Sequence, residues 1–227
     1  MRVLMVALSA VALSAQTPVL VELFTSEGCS SCPPADALLA SIHKAGAASG
    51  VEVIALSEHV DYWNQLGWRD PFSSSEFTAR QQNYARRLGL RGPYTPQMVV
   101  DGRWEFVGSD RSRLGKALTE AAKTPKPRVG ITLDGPALKL TVPGGVQGDA
   151  WLAITEDGLS VDVPRGENTG RKLRHEAVTR RLAKLGKGAA FTEPWKPDPQ
   201  WKGALRAVAF VTDAHGTVVA AGALRIP

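Results

Sequence analysis

The chain has 227 residues, of which 44% are hydrophobic and 22% are charged, with 27 Lys and Arg against 22 Asp and Glu. This composition excludes a disordered chain and allows a substantial buried core, in one domain or two. The formal net charge is only +5, and the one cluster of basic residues, in 171–187, contains no aromatic residue. We therefore expect no nucleic-acid partner, because proteins that bind single strands combine basic surfaces with aromatic stacking platforms.

Residues 1–15 predict a signal peptide. Met1 and Arg2 precede an apolar stretch over 3–13, which ends in the small-residue segment Ser14-Ala15-Gln16. This order is typical of exported proteins, and the stretch is far shorter than the ~20 residues of a membrane-spanning helix. We predict a periplasmic or secreted protein without a membrane span. A buried N-terminal strand or helix is the alternative, and Ala10-Val11-Ala12 offers a competing cleavage signal.

The first half of the chain predicts alternating strands and helices. Residues 19–24 and 51–56 resemble buried strands, and residues 33–48 between them carry apolar residues at helical spacing. The crossover is long enough for a parallel pair, so these segments form a βαβ unit. The later elements are an aromatic-rich insertion at 59–72, a helix at 75–88, a hairpin at 97–100 and 103–107, and a helix at 109–123.

The second half predicts mainly strands. Two prolines in residues 124–127 stop the preceding helix and indicate a domain boundary. Short apolar segments separated by glycine-containing turns are typical of a β-sandwich, and we predict strands at 129–133, 138–142, 151–155, 159–163, 205–212 and 218–226. Residues 175–185 have helical spacing, although an irregular strand also fits.

The expected fold class is therefore α/β. An α/β domain over residues 16–124, with a central sheet, flanking helices and a helical insertion, precedes a β-rich, sandwich-like C-terminal domain over residues 125–227.

The two cysteines of the chain, Cys29 and Cys32, directly follow the first predicted strand. Such a pair can close a small disulfide, and a helix that begins there favours a thiolate. An exported disulfide would persist in an oxidising compartment. Because a bond across two intervening residues removes little chain entropy, we expect redox exchange, with an inert local disulfide as the alternative.

The order strand, Cys-x-x-Cys, helix, strand and later hairpin resembles the thioredoxin fold. In that fold a cis-proline loop packs against the dithiol, and the resemblance assigns this role to Pro96, with Pro93 as the competing choice. More closely, the chain resembles the secreted, thioredoxin-like DUF1223 family in four segments: residues 22–36 around Gly28-Cys29-Ser30-Ser31-Cys32-Pro33-Pro34, residues 59–72 with His59-Val60-Asp61-Tyr62-Trp63, Tyr94-Thr95-Pro96-Gln97, and Gly166-Glu167-Asn168-Thr169-Gly170-Arg171. That family implies a fold and a location more firmly than an activity.

Analogy with Cys-x-x-Cys enzymes makes Cys29 the nucleophile and Cys32 the residue that resolves the mixed disulfide. Pro33 fits the first helical position, which makes Cys32 the N-cap and leaves Cys29 in the preceding turn. In thioredoxins the helix includes the first cysteine. It therefore stays open which thiolate the helix stabilises more.

Two acidic residues lie near the dithiol in sequence. Glu22 is on the first strand, and a central parallel strand is buried on both faces. A desolvated carboxyl there could exchange a proton during the reaction, as the resemblance to thioredoxins also implies; an exposed strand edge is the alternative. We interpret Glu27 as a solvated loop residue.

Further candidates follow the second strand, at the edge where ligands bind in open α/β sheets. We assign His59, Trp63 and Trp68, together with Thr95, to substrate binding; the alternative is that the aromatic residues merely pack the insertion. His175 has no metal-ligand spacing to the other histidines or to the cysteines, so we expect no metal site and no cofactor.

The sequence thus predicts an exported thiol-disulfide oxidoreductase that acts on thiols or disulfides of proteins or small molecules. The alternative is an extracytoplasmic binding module in which a permanent Cys29–Cys32 bond shapes a loop. Two thiolates would also suit Cu(I), but no Met or His lies near them in sequence.

Overall fold

The computed structural model describes residues 16–227, so the predicted signal peptide at 1–15 lies outside the described residues. The helices are α1 (Pro33–Ala45), α2 (Ser75–Arg87) and α3 (Arg111–Ala122), with a short 3-10 turn at Asn64–Leu66. The strands are β1 (Thr17–Thr25), β2 (Ala47–Ala48), β3 (Val51–His59), β4 (Gln97–Val100), β5 (Trp104–Val107), β6 (Gly130–Asp134), β7 (Ala137–Thr141), β8 (Asp149–Asp157), β9 (Leu159–Asp162), β10 (Lys172–His175), β11 (Val178–Gly186), β12 (Ala190–Pro194), β13 (Ala204–Thr212) and β14 (Val218–Ile226). None of the helices in this part of the chain is long and apolar enough to cross a membrane.

A nine-stranded mixed sheet runs through the whole molecule in the order β14-β13-β8-β11-β3-β1-β4-β5, with β2 paired to β3. The predicted βαβ unit is confirmed, because β1 and β3 are parallel from Thr17 opposite Val51 to Thr25 opposite His59. The mixed α/β class is confirmed as well. β4 and β5 form the predicted hairpin at one edge of the sheet.

The two predicted halves share this sheet. Val178 in β11 pairs in parallel with Ser57 in β3, and the backbone N–H of Ser57 donates to the carbonyl oxygen of Ala177 at 2.8 Å. The sequence predicts a separate β-rich, sandwich-like unit for the second half. Part of that expectation holds, since the three-stranded sheet β12-β7-β6 packs its apolar side chains on those of β8, β13 and β14. A domain boundary at 124–127 stays a prediction.

The expected helix at 175–185 is wrong, and the alternative of an irregular strand is right. β11 pairs antiparallel with β8, with breaks in register between Thr179 and Arg181 and between Lys184 and Gly186. Each bulge adds a residue to the strand and shifts its alternation of buried and exposed side chains. Leu182 and Leu185 accordingly pack in two different apolar clusters, so their helical spacing does not mark a single buried face.

The helices cover opposite faces of the β1 end of the sheet. Val21 and Leu23 of β1 contact the apolar residues of α1 and α3, whereas Phe24 contacts Tyr84 of α2. α1 ends at Ala45, three residues before the predicted end, because Gly46 adopts a left-handed conformation with φ 68°. This packing places the start of α1 at the carboxyl ends of β1 and β3.

Candidate functional site

Cys29 and Cys32 form a disulfide at the start of α1. Cys32 is the N-cap and Pro33 occupies the first helical position, as the sequence predicted. Cys29 lies in the preceding turn, where its N–H donates to the carbonyl oxygen of Ser26 at 3.2 Å. Both cysteines are fully buried. The bond therefore lies beside the positive end of the helix dipole, but out of reach of a large partner.

A loop from the C-terminal half closes over the disulfide. We call residues 164–171, between β9 and β10, the cover segment. The side-chain amide of Asn168 donates to the carbonyl oxygens of Glu27 at 2.8 Å and Cys29 at 3.0 Å, and Asn168 is itself fully buried. Glu167 accepts a hydrogen bond from the backbone N–H of Ser30 at 2.9 Å. Access to the sulfurs from this side requires the cover segment to move.

Glu27 is fully buried, so its interpretation as a solvated loop residue is wrong. The indole N–H of Trp68 donates to Oε2 of Glu27 at 2.8 Å, and Nε2 of His175 lies 3.1 Å from Oε1. These partners compensate the desolvation of the carboxylate, because a buried charge is tolerated only when it is paired. Trp68 and His175 are 41 and 148 positions from Glu27 in the chain, so both pairings bring distant segments to the loop that carries the cysteines.

A second acid-histidine pair lies directly beside the first. Oδ2 of Asp70 accepts from the N–H of Glu27 at 2.8 Å and lies 2.7 Å from Nδ1 of His59. Burial alone would raise the pKa of Asp70, but His59 outweighs that effect and the pKa is lowered. Conversely, burial would lower the pKa of His59, and Asp70 reverses this and raises it. The His59 and His175 rings are 4.9 Å apart, so the pairs form one buried polar cluster.

Asp36 connects this cluster to α1. It lies one helical turn after Cys32, and its N–H donates to the Cys32 carbonyl oxygen at 3.1 Å. Only 8% of Asp36 is exposed. Burial raises the pKa of its carboxyl, and the nearby His175 and His59 oppose this in part. Asp36 also lines a groove of about 810 Å³ between α1 and β10.

Trp63 packs beside the cysteine motif, and Thr95 hydrogen-bonds to Trp63. The indole N–H of Trp63 donates to the hydroxyl of Thr95 at 2.8 Å. A Cβ at Gly28 would lie 3.0 Å from the Cβ of Trp63, so the tryptophan packs directly on the residue before Cys29. Trp63, Trp68 and Thr95 are each partly exposed, whereas His59 is fully buried inside the cluster.

The Thr95–Pro96 peptide bond is cis, which favours Pro96 over Pro93. Pro96 also lies near the start of α1. A Cβ at Gly108 would be 3.0 Å from the Cβ of Ala35 and 3.1 Å from the Cβ of Pro96, so both residues border the same glycine.

Glu22 is buried as expected, but it does not face the dithiol. Its carboxylate lies 2.7 Å from Nε of Arg80 and accepts from the hydroxyl of Tyr84 at 2.5 Å, both on α2. Glu58 shares the guanidinium, with Oε1 3.5 Å from Nε of Arg80. Because side chains alternate along a strand, Glu22 points to the face opposite the one that α1 covers. Its assignment to proton exchange at the cysteines is therefore wrong.

Residues 20–212 match the family described as "Protein of unknown function (DUF1223)". The chain belongs to the DUF1223 family. The crystal structure of protein AGR_C_4864 from Agrobacterium tumefaciens is similar, with 31% identity and a TM-score of 0.71 over 92% of this chain and 93% of that one. HBP35 of Porphyromonas gingivalis shares 15% identity and a TM-score of 0.65 over 94% of this chain and 76% of that one, which is a similarity of fold alone. The comparison with curated proteins finds no match.

Sequence reasoning did not place four residues at this candidate site: Glu27, Asp36, Asn168 and His175. The resemblance of residues 166–171 to the family drew attention to the cover segment, but it did not show that this segment lies over the cysteines. Asp36 had one detectable signal, since an acid four residues after a cysteine on a helix lies on the same helical face. Within residues 16–227, no group of three or more His, Cys, Asp or Glu residues is placed to hold a metal ion.

Proposed function

We propose that this DUF1223 protein is a thiol-disulfide oxidoreductase with a thioredoxin-like fold. The observation that carries the proposal is the Cys29–Cys32 disulfide at the N-terminal end of α1, directly after the central strand β1. The strand order β3-β1-β4-β5 and the cis-proline before β4 support the same fold. The helix terminus lowers the free energy of a thiolate and so favours exchange.

The reaction consists of two thiol-disulfide exchanges with a partner dithiol. A partner thiolate attacks Cys29, so that a mixed disulfide forms, the Cys29–Cys32 bond breaks, and the electron pair leaves on Cys32. The partner's second thiolate then attacks the partner's first sulfur in the mixed disulfide, and the bond from that sulfur to Cys29 breaks. The partner departs as a disulfide with the loss of two electrons, and both cysteines are left reduced. The reverse sequence oxidises a partner dithiol.

Complete burial of both cysteines favours a second candidate, a binding module with a permanent disulfide. In that case Asn168 clamps a loop whose shape the bond maintains, and the partly exposed Trp63 and Trp68 contact a partner. The two candidates differ in one respect that can be measured. An exchange enzyme reacts with external thiols and disulfides, whereas ligand binding by the module is indifferent to reductant.

The test is mixed-disulfide trapping with reduced wild type, Cys29→Ser and Cys32→Ser, each presented with a small aromatic disulfide and with insulin. If Cys29 is the nucleophile, Cys32→Ser accumulates a stable adduct and Cys29→Ser does not. The opposite pattern reassigns the nucleophile to Cys32. Background-level reaction by all three proteins contradicts the redox function and favours the binding module.

We further propose that the protein acts outside the cytoplasm, on the basis of residues 1–15. The intact mass of the protein recovered from the extracytoplasmic fraction tests this proposal. A chain that begins near residue 16 supports export. A chain that retains Met1 and stays in the cytoplasmic fraction contradicts it.

A further inference from the structure

Exchange at a buried disulfide requires a proton carrier. When the Cys29–Cys32 bond breaks, the electron pair stays on the sulfur of Cys32, which is fully buried. The cover segment hydrogen-bonds to Glu27, Cys29 and Ser30 and not to Cys32, so its opening uncovers the attacked sulfur of Cys29 first. A thiolate without solvent is costly, so a proton must reach it, and the same proton must leave when the disulfide forms again. Glu22 cannot serve, because it faces α2 and is paired with Arg80.

We propose that Asp36 is the residue that exchanges this proton, and that it connects the buried sulfurs to water through the groove between α1 and β10. The inference rests on the proposed oxidoreductase function.

The first supporting observation is the place of Asp36 on α1. Residues four apart lie on one face of a helix, and helical side chains lean towards the N-terminus. The carboxyl of Asp36 therefore leans towards Cys32, the residue whose carbonyl oxygen accepts its N–H.

The second observation concerns buried polar atoms. Eight buried side-chain polar atoms among residues 16–227 have no hydrogen-bond partner, and four of them belong to Asp36 and to residues that act on its pKa. These four are Oδ1 of Asp36, Oγ1 of Thr25, Nε2 of His59 and Nδ1 of His175. Buried polar atoms are nearly always partnered, and here both histidines lie near enough to Asp36 to affect its pKa. Polar atoms that can accept or donate are what a proton-transfer site needs.

The third observation is the route to water. Asp36 is 8% exposed and lines the groove together with Pro33, Ser41 and Arg174. The cover segment lies over Cys29 and Ser30, whereas the groove lies on the α1 side of the dithiol. The carboxyl can therefore regain a proton from water while the cover segment stays closed over the sulfurs.

The proton moves as the disulfide bond breaks. An incoming thiolate forms a bond to Cys29, and the electron pair of the broken bond remains on Cys32. The neutral carboxyl of Asp36 gives its proton to that sulfur, directly or through one water, and becomes a carboxylate beside His59 and His175. Water in the groove restores the proton. In the oxidising direction the carboxylate accepts the proton of the Cys32 thiol.

Several charged or titratable groups surround Asp36 and contribute to its pH dependence. They are His59 on β3, Asp70 and Glu27 on the loops after β3 and β1, His175 and Arg174 on β10, Lys172 at the start of β10, Glu176 after it, and Lys44 on α1.

The test compares Asp36→Asn with wild type in full-length protein, and follows the rate of disulfide reduction by dithiothreitol between pH 5 and 9. A matched control is Asp162→Asn on β9, which removes the same charge from a residue with 81% of its side chain exposed. We expect Asp36→Asn to react about 100-fold more slowly near neutral pH and to lose one ionisation from its pH-rate profile. The control should follow the wild-type profile.

A pH-rate profile of Asp36→Asn that overlays wild type overturns the inference, while the exchange measured in wild type keeps the proposed function intact. Failure of reduced wild type to react above background in the mixed-disulfide trapping assay contradicts the proposed function instead. If Asp36→Asn does not fold, Asp36→Glu decides the question, because it keeps a carboxyl. We expect the pH-rate profile of Asp36→Glu to retain the ionisation but at a different pH from wild type. A profile of Asp36→Glu identical to that of wild type would overturn the inference.

Discussion

Opening of the cover segment should control how fast the disulfide reacts. The Asn168 side chain satisfies two backbone carbonyl oxygens, those of Glu27 and Cys29, at 2.8 and 3.0 Å. Asn168→Ala removes both hydrogen bonds in the closed state. The Glu27 carbonyl oxygen is then left unpaired, at a cost of about 1.5 to 2 kcal/mol. The Cys29 carbonyl oxygen keeps its bond from the Cys32 N–H at 3.2 Å, so this second loss costs only about 0.5 to 1 kcal/mol. The closed state thus loses about 2 to 3 kcal/mol relative to the open one, where water replaces the lost partners.

This loss of free energy in the closed state determines how much faster the disulfide is reduced. If the sulfurs react only in the open state, 2 to 3 kcal/mol increases the open population and the reduction rate by about 30- to 150-fold, at 1.4 kcal/mol per factor of ten. The assay is pseudo-first-order reduction by dithiothreitol at fixed pH. Thr169→Ala is the matched control, because its hydroxyl bonds only to Gly166 within the cover segment. Equal rates for Asn168→Ala and wild type would refute the reasoning.

Further predictions concern the buried charges. Burial raises the pKa of Glu58 well above its ordinary value of 4.5, and the neighbouring Glu22 adds to this while Arg80 opposes it. A raised carboxyl pKa means stability that is present at low pH and lost as the pH rises. We therefore expect Glu58→Gln to raise the melting temperature above pH 5 and to have little effect at pH 4; a gain that is constant with pH would contradict this. For Asp70→Asn we expect a loss of about 2 kcal/mol in the free energy of unfolding, because a charge-assisted hydrogen bond to His59 is weakened. The lowered pKa of Asp70 gives stability that is lost as pH falls below 3.8, and the raised pKa of His59 gives stability that is lost as pH rises above 6.5. Denaturant unfolding should therefore show the largest difference from wild type between about pH 4 and 6.5, and a difference that keeps growing above pH 8 would rule out this pairing.

The local elements of the site were predictable because their signals are contiguous. Pro33 fixed the start of α1 and made Cys32 the N-cap, since proline suits the first helical position and lacks the N–H that would be unsatisfied there. The parallel pairing of β1 with β3 followed from the length of the crossover. The resemblance to the thioredoxin fold, together with the position of Pro96 directly before β4, singled out Pro96 for the cis bond.

The buried cluster was not predictable, because its contacts cross most of the chain. Glu27 is separated from His175 by 148 positions, and no spacing rule connects a carboxylate in one loop with a histidine on a distant strand. The pairing of β11 with β3 has the same cause, since apolar patterns show that a strand is buried without naming its neighbour.

The predicted role of Glu22 in proton exchange is wrong for a different reason. Its burial was expected, but a central strand is buried on both faces, so composition does not tell which face a given residue occupies. The packing of α1 on Val21 and Leu23 settles the face.

The reduction potential of the Cys29–Cys32 pair tests the central claim most directly. It is measured by equilibrating the full chain with defined ratios of reduced and oxidised dithiothreitol or glutathione, and by quantifying the disulfide by mass. We predict a potential within the range of exchange enzymes, about −270 to −120 mV. A value below about −300 mV, together with no exchange by either cysteine, would contradict the account and identify a permanent structural bond.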